Sequence, residues 1–142
     1  MKIVVDASVL VAVIANEPEK DALIELTRGA ELIVPNSIHW EIGNALSGML
    51  KRRRITLVQT KNALDVYQEI EVRFVEVELA EALSIADELG IYAYDAYVIR
   101  CALKYGAPLI TLDQALITHA RRKNAQVMEV THDSPSSHET QT

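Results

Sequence analysis

The sequence predicts an α/β fold: a mostly parallel five-stranded sheet covered by helices on both faces. Three observations predict it. Short runs of branched apolar residues alternate along the chain with longer segments whose apolar residues recur at helical spacing. Pro, Gly, Ser and Asn fall at the junctions between them. The chain has 142 residues and is 49% hydrophobic, which suits one compact domain with a single core. Strands that alternate with helices in this way make right-handed crossovers, so the sheet is parallel and its helices lie over both faces.

Each element follows from local chemistry. Ile3 to Val5 is a short buried strand, and Ser8 to Ala15 continues as a helix that breaks near Asn16 and Pro18. Pro18 suits the first turn of a second helix, which runs toward Arg28 and stops at Gly29. Glu31 to Val34 is the second strand, closed by Pro35. Asn36 or Ser37 caps a helix whose apolar stripe is Ile38, Ile42, Ala45 and Met49, ending in the basic run that begins at Lys51. Thr56 with Gln59 reads as a capping box opening a helix through Leu64 to Ile70.

Arg73 to Val77 is the third strand. Leu79, Leu83, Ala86 and Leu89 then recur at helical spacing as far as Gly90, and Tyr94 to Lys104 forms a helix closed by Gly106 and Pro108. Leu109 to Thr111 is the fourth strand, Gln114 to Arg122 a short helix, and Gln126 to Val130 the fifth strand. From Thr131 onward Ser, Thr, His and Pro predominate, with little to bury. The expected organisation is therefore a domain over 1–130 and a disordered polar tail over 131–142.

Composition excludes several classes. A formal charge of -6 argues against holding nucleic acid through bulk positive charge, although Lys51 to Arg54 and Arg121 to Lys123 are local basic clusters. Cys101 is the single cysteine, so no disulfide framework exists and a reducing cytoplasm is the expected location. The apolar stretch after Met1 and Lys2 is interrupted by Asp6, unlike a secretory leader. No apolar run reaches the length of a membrane span, so no membrane association is expected.

Four carboxylates stand apart from the rest: Asp6, Glu41, Asp95 and Asp113. Each has apolar or aromatic neighbours, and each falls just past a strand or early in a helix. In a parallel α/β sheet, strand ends and helix starts share one edge, so all four are expected on the same rim. Asp after a strand also makes a good helix N-cap, and an acid in a first turn gains from the helix dipole, so each residue alone has a structural reading. Together they do not. Carboxylates converging to about 5 Å repel by several kcal/mol at intermediate dielectric, and a cation removes that cost.

Oxygen ligands without Cys, and without His at ligand spacing, suit Mg²⁺ or Mn²⁺ rather than Zn²⁺. His39 precedes Glu41 by two residues and is expected on another side of that helix. Such an acid cluster with its ion can polarise a phosphodiester and lower the pKa of bound water. Lys51 to Arg54 would provide a positive rim for the phosphates of such a substrate, with Arg52 and Arg53 the candidate contacts. Trp40, Leu50, Leu57 and Tyr67 offer either core packing or a partner-binding face.

Four segments carry a family resemblance: Val4-Val5-Asp6-Ala7-Ser8-Val9-Leu10, Trp40-Glu41-Ile42-Gly43-Asn44-Ala45-Leu46, Tyr94-Asp95-Ala96-Tyr97-Val98-Ile99 and Leu109-Ile110-Thr111-Leu112-Asp113. In order and spacing they resemble the motifs of the PIN-domain nucleases, and the small size resembles the VapC-type toxins of toxin-antitoxin pairs. The resemblance implies a Rossmann-like three-layer PIN fold with strand order 3-2-1-4-5 and a Mg²⁺- or Mn²⁺-dependent ribonuclease. It implies that Asp6, Glu41, Asp95 and Asp113 bind metal and carry catalysis, with Ser8, Asn44 and Thr111 supporting them. It further implies an RNA substrate, a homodimer, and a small VapB-like antitoxin whose C-terminal segment covers the active site.

Rival readings leave different marks. A phosphotransfer receiver would need an acid pair after the first strand and an acceptor Asp after the third. A haloacid-dehalogenase-type phosphatase would need an acid where Ser8 stands. A PIN scaffold that acts only by binding protein is the alternative that the sequence itself leaves open.

Overall fold

The computed structural model describes residues 1–131. Strand β1 (Lys2–Val5) leads into α1 (Ala7–Ile14) and α2 (Lys20–Leu26), followed by β2 (Glu31–Pro35), α3 (Ile38–Lys51) and α4 (Leu57–Glu69). The second half runs β3 (Val72–Val75), α5 (Leu79–Leu89), α6 (Ala93–Tyr105), β4 (Leu109–Ile110) and α7 (Gln114–Arg122). The strands lie in the order β3-β2-β1-β4, and every pair is parallel.

Alternation along the strands builds two cores. Ile3 and Val5 point into one layer and Val4 into the other; Val34 and Ile33 divide the same way, as do Ile110 and Leu109. Helices α1 to α4 cover the first face through residues such as Leu10, Leu23, Ile42 and Ala63. Helices α5 to α7 cover the second through Ile85, Ile99 and Leu116. This makes three layers, and it explains why the buried parts of β1, β2 and β4 are continuous apolar runs rather than alternating with polar residues. Each fully buried Ile or Leu contributes about 1.5–3 kcal/mol by leaving water.

The end signals work as the sequence indicates. Thr56 and Gln59 form a reciprocal capping box at the start of α4. Gly90 and Gly106 close α5 and α6 in the left-handed region, with φ of 67° and 57°, where a β-carbon would be strained.

Two expectations change. The fifth strand does not form: Gln126 to Met128 meets β4 only at the bridge between Leu109 and Val127. The cause is the brevity of β4, which ends at Ile110 before the chain turns toward Asp113, so Leu109 alone supplies ladder partners, to Gln126 O and Met128 N. The segment still lies beside β4, at the place expected for the last strand. Pro18 lies in a turn ahead of α2 rather than in its first turn, and the helix ends before Thr27. The polar tail expected over 131–142 falls, from residue 132, outside the described residues. No helix among the described residues is long and apolar enough to cross a membrane.

Candidate active site

Because the sheet is parallel, the ends of β1 and β4 and the starts of α1, α3, α6 and α7 meet along one edge. Asp6 leaves β1 and caps α1, accepting from Val9 N at 3.3 Å. Asp113 follows β4 and caps α7, its Oδ1 accepting from Ala115 N at 2.9 Å and Leu116 N at 3.3 Å. Glu41 and Asp95 occupy the first turns of α3 and α6. The capping roles read from the sequence are therefore real for Asp6 and Asp113. They do not exhaust either carboxylate.

Asp6 is the buried centre, only 8% exposed. The Ser8 hydroxyl donates to its Oδ1 at 2.6 Å and the Thr111 hydroxyl to its Oδ2 at 2.6 Å. Each hydroxyl in turn accepts a backbone amide of the β4–α7 turn: Leu112 N reaches Ser8 Oγ at 3.0 Å, and Asp113 N reaches Thr111 Oγ1 at 3.0 Å. Amide, hydroxyl and carboxylate form two short relays that tie the first strand's end to the fourth's.

The other acids differ in environment. Ser37 donates to Glu41 Oε2 at 2.7 Å, four residues ahead on the same helix entry. Asp95 is half-buried and its carboxylate makes no hydrogen bond or ion pair among the described residues. Asp113 is exposed. Asn44 is also exposed on α3; its backbone carbonyl accepts from Ser47 Oγ at 2.8 Å, and its side chain makes no hydrogen bond among the described residues.

Electrostatics join what hydrogen bonds leave separate. Burial pushes the Asp6 carboxyl above its ordinary range against the opposing pull of its hydroxyl donors, and the charge of Asp113 pushes it further. Burial likewise raises Glu41, with Asp6 and Asp95 adding repulsion. Burial and Asp113 raise Asp95, while His119 on α7 draws it down. Asp6, Glu41 and Asp95 thus each feel at least one other acid across the rim.

Among the described residues, no three His, Cys, Asp or Glu side chains stand close enough to hold a metal ion as arranged. The donor set nonetheless fits a hard cation: it is all oxygen, partly desolvated and self-repelling. Mg²⁺ commonly keeps several waters and takes only one or two carboxylates, completing its shell with substrate phosphates, so a closed protein cage is not required.

The basic run lies beside this rim. Arg52 lines a cleft of about 360 Å³ together with Ser8, Ala45, Met49 and Arg54. Its guanidinium folds over Gly48, where a β-carbon would stand 3.2 Å from Nη1. Arg53 is exposed with φ of 55° and does not line the cleft. A larger cleft of about 830 Å³ lies elsewhere, by His39, Tyr67, Arg73 and Phe74, and none of the four acids lines it. His39 faces Tyr67, its Nδ1 3.3 Å from the phenol oxygen, and so stands apart from Glu41. Of the apolar candidates, Tyr67 is buried and Leu50 partly buried, whereas Trp40 and Leu57 are 73% and 59% exposed.

Two residues escaped the sequence reading. Ser37 was legible only as a cap, although its spacing of four from Glu41 is the spacing at which helix side chains meet. His119 gave no signal at all; its Nδ1 is buried without a hydrogen-bond partner among the described residues.

Comparison with known proteins gives a single answer. The model of the PIN domain family matches residues 3–123. A curated relative, Ribonuclease VapC3 of Pyrobaculum aerophilum, is 28% identical over 121 residues, covering 82% of this chain and 92% of the relative. A crystal structure of a Pyrobaculum aerophilum protein superposes with a TM-score of 0.66 at 25% identity, covering 92% of each chain. The crystal structure of VapBC2 from Rickettsia felis, bound to a DNA fragment from their promoter, gives 0.63 at 16% identity over 92% of this chain and 100% of that one.

Proposed function

The chain belongs to the PIN domain family, and from that premise we propose that it is a Mg²⁺- or Mn²⁺-dependent ribonuclease, the toxin of a toxin-antitoxin pair, within a domain of about residues 1–130. The observation that carries the reading is the mutual repulsion of four carboxylates at one sheet edge, three of them raised above their ordinary range. A protein gains nothing from that arrangement unless a cation or a proton relieves it. The relative named as a ribonuclease supports the activity, and the VapBC2 neighbour supports the toxin-antitoxin setting.

Asp6, Glu41, Asp95 and Asp113 are the residues that would hold the ion. When bound, it would supply Lewis acidity toward a phosphodiester oxygen and a more acidic water. The chain's own contributions are orientation and charge. Ser8 and Thr111 fix the Asp6 carboxylate in one plane, so its rotamer is set before substrate arrives. Ser37 does the same for Glu41. Asp95 makes no hydrogen bond among the described residues, so its carboxylate would be available to the ion. Arg52, at the far wall of the adjoining cleft, attracts the RNA backbone without entering the acid cluster.

A small VapB-like antitoxin and a second copy of the chain are the proposed protein partners, and exposed Trp40 and Leu57 are apolar surface available to them. The deciding experiment is cleavage of RNA by purified protein with Mg²⁺ or Mn²⁺, with and without chelator, beside Asp6→Asn and Asp95→Asn. Chelator-sensitive cleavage lost in both variants is expected. No metal-dependent cleavage, with Asp95→Asn retaining the biological effect, would favour the protein-binding scaffold.

A further inference from the structure

A cavity of about 270 Å³ opens on the same sheet edge as the acids, where β2 and β3 end. Pro35, Val77 and Leu79 give it apolar walls, and the Tyr97 ring, itself edge-on to Tyr94 at 6.0 Å, adds an aromatic one. Asn36 and Glu76 supply polar groups at its margin. Ser37 belongs both to this cavity and to the acid cluster, since its hydroxyl holds Glu41 Oε2 at 2.7 Å. The cavity is therefore one side chain away from a residue proposed to act on the scissile phosphate.

Its chemistry is that of a base-binding pocket. A single unpaired nucleobase is flat, apolar on its faces and polar on its edge, and proteins that read single-stranded RNA stack the face on aromatic rings and meet the edge with hydrogen-bonding side chains. The volume is enough for one base. The side chains of Asn36 and Glu76 are exposed and make no hydrogen bond or ion pair among the described residues, so neither is already occupied. Lys104 Nζ donates to the Glu76 backbone carbonyl at 3.1 Å, which pins the main chain at that wall while leaving the carboxylate available.

We propose that this cavity is a specificity pocket that takes one unpaired base of the RNA substrate next to the scissile phosphate, with Glu76 and Asn36 reading its edge. The inference rests on the ribonuclease reading above and adds to it a preference. An ionised carboxylate only accepts hydrogen bonds. It favours bases that present an exocyclic amino group, guanine, adenine or cytosine, over uracil, whose single edge donor, N3–H, is flanked by two carbonyls that repel a carboxylate.

Two measurements test this and separate it from the parent reading. The first is equilibrium binding, in chelator, of fluorescent single-stranded oligonucleotides that differ at one position or carry an abasic site there. Wild-type protein is expected to lose about tenfold in affinity for the uracil or abasic form. Glu76→Gln and Asn36→Ala, both at exposed positions that leave the core intact, are expected to bring the forms within about twofold. The second is mapping of cleavage sites on a random RNA pool with metal present, where the same two variants are expected to cut with relaxed preference at one position. Cleavage by the wild type with identical base preference in the variants overturns the pocket and leaves the ribonuclease standing. Absence of cleavage by the wild type, together with affinity blind to base identity, overturns both. A second copy of the chain occupying the cavity would appear as variants that change the oligomeric state and not the base preference, which also overturns it.

Discussion

The Thr111 hydroxyl donates to Asp6 Oδ2 at 2.6 Å, joining residues 105 positions apart and fastening the end of β4 to the end of β1. Thr111 Oγ1 also accepts from Asp113 N at 3.0 Å, so one side chain holds the Asp6 carboxylate and the backbone at Asp113. Thr111→Val keeps the shape and removes the hydroxyl. It leaves a buried carboxylate short of a donor and an amide short of an acceptor, and is expected to cost about 1–3 kcal/mol in urea unfolding. Cleavage should fall roughly tenfold or more, as when outer partners of metal ligands are lost. Thr111→Ser restores the hydroxyl and should recover most of the activity; failure of that rescue would remove the role assigned to the hydroxyl.

Stability of the metal-free protein should decline as pH rises above the ordinary carboxyl range. Asp6, Glu41 and Asp95 are all raised in the folded chain, by burial first and by one another second. A carboxyl raised on folding favours the native state below its unfolded pKa, and that contribution is lost as pH climbs through the raised folded value. Glu78 has the opposite sign: hydrogen bonds from Lys104, its own backbone amide and Arg100 hold it at about 2, so its contribution disappears only as pH falls below the ordinary carboxyl range. The window above the ordinary carboxyl range therefore reads the acid cluster without interference from Glu78. In that window Mg²⁺ should stabilise, by about 2.7 kcal/mol at a hundredfold excess over its dissociation constant. Asp95→Asn should flatten the pH slope and raise the melting temperature in chelator. A flat slope in the wild type would contradict the shared-rim electrostatics.

Asp113 separates capping from chemistry. Its Oδ1 takes two amides of the first turn of α7. Asp113→Asn retains an oxygen for those amides, whereas Asp113→Ala does not. Stability should fall by about 1 kcal/mol in the alanine variant and stay near wild type in the asparagine variant. Both should lose metal-dependent cleavage. An active Asp113→Asn protein would mean that the residue serves α7 alone.

How far the sequence revealed these features depends on the distance over which the information acts. The strands, the capping box at Thr56 and the glycine stops at Gly90 and Gly106 are local, and each appears where its signal stands. The convergence of Asp6, Glu41, Asp95 and Asp113 on one edge follows from parallel topology, which the strand-helix alternation already implies. What remained hidden depends on partners. The fifth strand fails because its neighbour β4 is two residues long, which no propensity of Gln126 to Val130 records. The hydroxyl relay from Leu112 and Asp113 through Ser8 and Thr111 needs two strand ends in register, and His119 needs α7 packed beside α6. Such contacts exist only once the chain has folded.

Arg52 and Arg53 are adjacent in sequence but unequal in place, and RNA binding should expose the difference. Arg52 lines the cleft that Ser8 borders, while Arg53 turns away on a left-handed backbone with φ of 55°. Replacing both by Ala keeps a β-carbon at residue 53 and so does not alter that strain. The double variant should bind single-stranded RNA more weakly at low salt and show a shallower salt dependence, by about 0.7 in logarithmic slope for each phosphate contact removed. Metal affinity, followed by thermal stabilisation with Mg²⁺, should be unchanged because neither arginine touches the acids. Arg52→Ala alone should account for most of the loss and Arg53→Ala for little. Equal losses from the two single variants would place the RNA across the end of α3 rather than in the cleft beside Ser8, and an unchanged affinity in the double variant would remove the basic run from substrate binding.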